Sequence, residues 1–160
     1  MFTVIGERIN MTRKKIRERV WERDEAFIKN EAKRQVEAGA THIDVNAGGD
    51  PAKEIDDMKW LVGVVSDGVE CPLSFDSANP DALRAGLKIS NRPGSIINSI
   101  TMEKERVGSV LPLVKEFGTG VVCLAMDDTG MPEDYDGRVK ITDDIARLLT
   151  DNGISLDRAY

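Results

Sequence analysis

Cys71-Pro72-Leu73-Ser74-Phe75-Asp76-Ser77-Ala78-Asn79-Pro80 reads as one complete strand-to-helix unit. Pro72 opens a short apolar run and Asp76 closes it. Asn79-Pro80 then starts a helix with an N-cap residue and a proline at the first helical position, where the missing N–H costs nothing. A carboxylate at the carboxyl end of a buried strand is expensive to desolvate unless it has a partner or a ligand. The same arrangement recurs elsewhere in the chain, so polar side chains gather at the carboxyl ends of several strands.

Upstream of this stretch, the pattern predicts a first strand at 3–6, followed by Glu7-Arg8-Ile9-Asn10. Thr12 is the expected N-cap of a short helix reaching about Trp21. Asp24 is the expected N-cap of a second helix, which places Ile28, Ala32 and Val36 on one face and ends at Gly39. A second strand at 41–45 runs into Asn46-Ala47-Gly48-Gly49-Asp50-Pro51. The helix after it carries Ile55, Met58, Leu61, Val62 and Val65 and stops near Gly68. Downstream of the opening stretch, its helix runs through Leu83 and Leu87. A fourth strand is expected at 95–98, with a helix from about Thr101 that Pro112 is expected to kink. A fifth strand follows at 121–126, then an acidic loop at 127–136 and a last helix from about Thr142 to Gly153.

Short apolar strands alternating with amphipathic helices imply an α/β fold with a parallel sheet and crossover helices. Two architectures fit: a doubly wound open sheet, or part of a (β/α)8 barrel, which as a whole takes about 250 residues. No linker or low-complexity tract interrupts the pattern, so the chain reads as one domain over 1–160.

The composition is that of a soluble globular chain: 160 residues, 41% hydrophobic, with a net charge of -6. The acidic balance argues against a nucleic-acid partner, which needs a basic face. No apolar run approaches membrane-spanning length, and no secretory leader is evident. The locally basic stretch from Arg13 to Arg23 is interleaved with Glu18 and Glu22 and reads as a solvated helix face. Cys71 and Cys123 are far apart and form no Cys-x-x-Cys pair. They read as buried thiols of a reducing compartment, which makes the expected location cytoplasmic. The single histidine, His42, lies in a strand and reads as a packed, hydrogen-bonded residue.

The strand-end residues are Glu7 and Asn10, Asp44 and Asn46, Asp76, and Asn98. Asp44 and Asn46 are two apart in a strand and share a face. Carboxylates and amides with no lysine cluster beside them suit a neutral, donor-rich ligand. An aminopyrimidine presents two N–H groups side by side, which one carboxylate accepts together, while an asparagine both donates and accepts at the other edge. Dinucleotide and P-loop fingerprints are missing, and asparagines alternate with the carboxylates, so no metal is expected. No position suggests a Ser/His/Asp triad.

Gly6-Glu7-Arg8-Ile9-Asn10, Asp44-Val45-Asn46-Ala47-Gly48, Phe75-Asp76-Ser77, Ile96-Ile97-Asn98-Ser99 and Thr129-Gly130-Met131-Pro132 resemble, in order and spacing, the pterin-binding domain of the methyltetrahydrofolate:corrinoid methyltransferases. The folate module of cobalamin-dependent methionine synthase is similar. The resemblance implies a TIM barrel whose carboxyl-end rim holds 5-methyltetrahydrofolate. Asp76 and Asn98 match pterin-binding positions, and Asp44 and Asn46 line the same pocket. The N5 methyl group passes to the cobalt of cobalamin on a separate partner, a corrinoid iron-sulfur or other corrinoid protein, so the chain itself holds no metal. The family works as homodimers.

The resemblance covers about the first five βα units of a barrel. The family's sixth strand begins near Tyr160 and carries a further pterin-binding aspartate. A later strand carries the asparagine that contacts N5, so no catalytic residue is assigned within 1–160. These positions imply about half of the pterin site, and a truncated chain or one piece of a split protein. The alternatives are a dihydropteroate synthase-like pterin enzyme and a non-catalytic pterin-binding module.

Overall fold

The computed structural model describes residues 2–160. Five strands alternate with helices: β1 (Ile5–Asn10), α1 (Lys14–Trp21), α2 (Glu25–Glu37), β2 (His42–Asn46), α3 (Glu54–Gly68), β3 (Leu73–Asp76), α4 (Pro80–Ile89), β4 (Ile96–Ile100), α5 (Lys104–Phe117), β5 (Gly120–Cys123) and α6 (Tyr135–Asp151). A short 3-10 turn, Leu156–Arg158, follows. The α/β class read from the alternation is therefore the observed one. The chain groups into two compact units, one ending at Ile96 and one running from Ile97 to Tyr160.

In the first unit β1, β2 and β3 lie side by side, all parallel. Ile43 and Val45 of β2 pair in register with Leu73 and Phe75 of β3, and all four are fully buried. The face they form is covered by helices. A Cβ added to Gly86 of α4 would lie 2.9 Å from Phe75 Cδ1 and 3.1 Å from Met58 Cγ of α3, so this glycine allows α4 to sit directly on the strand. Asp24 caps α2 by accepting from the Phe27 N–H at 3.0 Å, and Asn79 caps α4 by accepting from the Asp81 N–H at 3.0 Å with Pro80 at N1. Gly39, just beyond α2, has φ +102°, a conformation without strain only for glycine.

Three details depart from the sequence reading in this unit. β1 is longer than expected and continues through Glu7-Arg8-Ile9-Asn10. Its register with β2 shifts between Gly6 and Ile9, so Glu7 and Arg8 together oppose the single residue Asp44. This is a bulge, and its cause is visible: the Arg8 N–H donates to Gln35 Oε1 of α2 at 2.9 Å. The same contact exchanges the expected burial on α2. Gln35 and Glu31 are buried and Val36 is exposed, because Glu31 pairs with Arg8 and Gln35 serves the bulge. Finally, Thr12 does not cap α1. Its hydroxyl and N–H both donate to Asn10 Oδ1, and α1 begins at Lys14 with no side-chain cap.

In the second unit β4 and β5 are neighbours. Helix α5 starts at Lys104, after Thr101 and Glu103 have bonded each other, and carries Pro112 within it. Its buried residues are Val110, Leu113 and Val114. Strand β5 ends at Cys123, earlier than expected, and the chain then turns. Asp127 and Gly130 exchange backbone hydrogen bonds, and Gly130 has φ +103°. Helix α6 begins at Tyr135 rather than near Thr142, because Asp134 caps it by accepting from the Gly137 N–H at 2.7 Å. Beyond the 3-10 turn, Ala159 forms a parallel bridge with Val121, and the Cys123 N–H donates to the Tyr160 carbonyl at 2.9 Å.

Candidate functional site

The parallel register aligns polar residues in rows across the first unit. Asn10, Asn46 and Asp76 stand side by side at the carboxyl ends of β1, β2 and β3. One row below, Asp44 stands beside Ser74. Because side chains alternate along a strand, Asp44 and Asn46, and likewise Ser74 and Asp76, share the face opposite the helix-covered apolar one.

Each row is hydrogen-bonded. Ser74 Oγ donates to Asp44 Oδ1 at 2.6 Å, and Asp44 is 1% exposed. Asn46 Nδ2 donates to Asp76 Oδ2 at 2.8 Å. The orientation of the Asn46 amide is set by the following loop: the Gly48 N–H donates to Asn46 Oδ1 at 3.0 Å, which turns the NH2 group towards Asp76. The Asn46 carbonyl accepts from the Met11 N–H at 3.1 Å, joining the β1 and β2 ends. Asn10 is occupied locally, since Thr12 uses its side-chain oxygen. Gly49 packs against the Met11 side chain, whose Cε would lie 2.7 Å from a Cβ added there.

Of the six residues picked from the sequence, the structure brings Asn10, Asn46 and Asp76 into one row and puts Asp44 directly beneath. Glu7 lies within the β1 bulge, exposed, and not beyond the strand end. Asn98 is the central residue of β4 in the second unit, half-buried, and precedes a cis peptide bond to Ser99. Three residues were missed. Ser74 was legible as the polar alternate two positions before Asp76. Ser77 and Glu54 were not: Ser77 Oγ donates to Glu54 Oε1 at the start of α3 and accepts from the Asn79 N–H at 2.9 Å, fixing the loop after Asp76.

His42 is buried and belongs to the scaffold. Its Nε2–H donates to the Gly94 carbonyl at 3.1 Å, and Thr41 Oγ1 lies 2.9 Å from Nδ1. Cys71 and Cys123 are free thiols, and burial pushes both pKa values up. Asp127 is held below the usual carboxylate range by hydrogen bonds from the Thr129 hydroxyl and N–H. Among the described residues no three His, Cys, Asp or Glu side chains are grouped to hold a metal, and no helix is long and apolar enough to cross a membrane.

Parallel strands with crossover helices and a hydrogen-bonded row of carboxylate and amide side chains at the strand ends define a βα-unit protein of the TIM-barrel class. The chain belongs to the pterin-binding enzyme family, whose sequence profile matches residues 6–153. It is 36% identical over 141 residues to a methylcorrinoid:tetrahydrofolate methyltransferase from Eubacterium limosum, a match covering 87% of this chain and 52% of that protein. It is 29% identical over 156 residues to a methionine synthase from Mycobacterium leprae, covering 93% of this chain and 13% of that one. The chain thus spans about half the length of the first relative and a small part of the second.

Proposed function

We propose that the chain forms the pterin-binding part of a methyltransferase that exchanges the N5 methyl group of 5-methyltetrahydrofolate with the cobalt of a corrinoid protein. The observation that carries this reading is the Asn46–Asp76 pair, held in register at the strand ends in a chain of the pterin-binding family. A carboxylate has room for about four hydrogen bonds, and Asn46 supplies one. Asp76 keeps the capacity to accept the adjacent N–H groups of a pterin's aminopyrimidine edge. Asn46 holds it in place for that and offers its second N–H. Asp44, with Ser74 donating to it, forms the floor below. These groups bind and orient the pterin; the corrinoid supplies the metal that takes up or gives the methyl group. When the methyl leaves N5, the amine left behind needs a proton or a hydrogen-bond donor, so donors fixed in advance matter more there than a covalent nucleophile.

The similarity to a methylcorrinoid:tetrahydrofolate methyltransferase favours this reaction over other pterin chemistry. Methyl exchange between 5-methyltetrahydrofolate and a corrinoid protein, followed through the corrinoid's visible absorbance, tests it. The expected result is transfer that Asp76→Ala reduces by about tenfold or more, the value of one charged hydrogen-bond partner. Pterin binding with no methyl exchange would contradict the enzymatic reading.

A further inference from the structure

A cavity of about 190 Å3 in the first unit is lined by residues of β1, α1 and α2 and of the segment before α1, none of them a residue of the Asn10–Asn46–Asp76 row. Arg8, Arg13, Lys15 and Arg34 line it, with Glu31 and Phe27. Four cations therefore face one carboxylate in a chain whose net charge is -6. Glu31 is 5% exposed and already committed: Arg8 Nε donates to its Oε1, and Arg34 Nη1 lies 3.9 Å from its Oε2. Arg13 and Lys15 have no carboxylate partner among the described residues, while Arg8 and Arg34 share Glu31. Lys15 is held over the Phe27 ring, 5.1 Å from its centroid, which fixes the ammonium at the cavity. The first turn of α1, which includes Lys15 and Ile16 of the lining, has no side-chain cap, so the positive end of that helix is uncovered at the same place.

We infer that this cavity is a binding site for a compact multivalent oxyanion, a phosphate group or a pair of carboxylates. Uncompensated guanidinium and ammonium groups converging on one concavity repel each other until an anion is bound. The planar guanidinium fork donates to two oxygens of a carboxylate or a phosphate at once, and Glu31 holds Arg8 in position without filling the space. The site does not depend on the pterin reading.

Calorimetric titration of the protein at low salt, with sodium phosphate in one arm and triglutamate in the other, tests the inference. The expected result is one saturable site in at least one arm, weakened by added sodium chloride. The double variant Arg13→Gln/Lys15→Gln is expected to lose affinity by about tenfold or more, and the Lys88→Gln variant, which also removes an exposed cation, is expected to match the parent. Saturation by phosphate assigns a phosphate-bearing ligand, and saturation by triglutamate alone assigns an oligocarboxylate. Arg13 and Lys15 are exposed, so unchanged melting temperatures are expected and confirm that the variants fold. Absence of saturation in both arms, or equal affinity in the double variant and the parent, overturns the inference.

Discussion

Asp44 is a buried carboxylate of the first unit, at 1% exposure, and accepts a hydrogen bond from the Ser74 hydroxyl. Removing a donor from a buried charged group costs about 1–3 kcal/mol, well above the median for a surface substitution. Ser74→Ala is therefore expected to lower the free energy of unfolding by that amount, read in urea as a lower midpoint with an unchanged m-value. Asp76, by contrast, is half-buried and keeps unused acceptor capacity, so its substitution is expected to act on binding more than on stability. The two cysteines give a pH prediction. Burial raises both thiol pKa values, so alkylation by iodoacetamide is expected to rise at higher pH than for a free thiol. Neither thiol affects folding below the ordinary thiol pKa, and above it the unfolded chain ionises first, so the melting temperature is expected to fall as pH rises further. A Cys71→Ser/Cys123→Ser variant is expected to lose that alkaline component.

Two helix glycines separate propensity from packing at the scale of elements. In α3, a Cβ on Gly63 meets nothing within 4 Å, so Gly63→Ala is expected to stabilise by about 0.5–1 kcal/mol through helix propensity alone. In α4, the same gain at Gly86 is opposed by contacts of 2.9 Å to Phe75 and 3.1 Å to Met58, and overpacking costs about 1–3 kcal/mol. Gly86→Ala is thus expected to destabilise, and thermal melts of the two variants check the opposite signs. The elements legible in the sequence were those whose own residues decide them: Asp24 and Asn79-Pro80 as caps, Gly39 as a helix stop, and Leu73–Asp76 as a strand. The rest depended on partners distant in sequence. The β1 bulge exists because Gln35 takes the Arg8 N–H, and the burial of Gln35 and Glu31 in place of Val36 follows from it. The early start of α6 was hidden because Asp134 is one acid among several, and only its bond to the Gly137 N–H singles it out.

At the scale of the molecule, the alternation of strand and helix carried the fold class, and the register of three parallel strands turned separate strand-end residues into a row. Asp44, Asn46 and Asp76 were readable from their places at strand ends. Ser77 and Glu54 were not, since a serine in a loop and a glutamate at a helix start carry no signal until the fold puts them together. Membership of the pterin-binding family and the 36% identity to a methylcorrinoid:tetrahydrofolate methyltransferase narrow the chemistry open to that row. In the proposed function the row reads a pterin through Asp76. Equilibrium binding of 5-methyltetrahydrofolate, by calorimetry on the parent and on Asp76→Ala, tests it most directly. Saturable binding by the parent is expected, with a loss of about 1.5–3 kcal/mol, roughly tenfold or more in affinity, in the variant. Equal affinities in the two folded proteins, or no saturable binding by the parent, would contradict it.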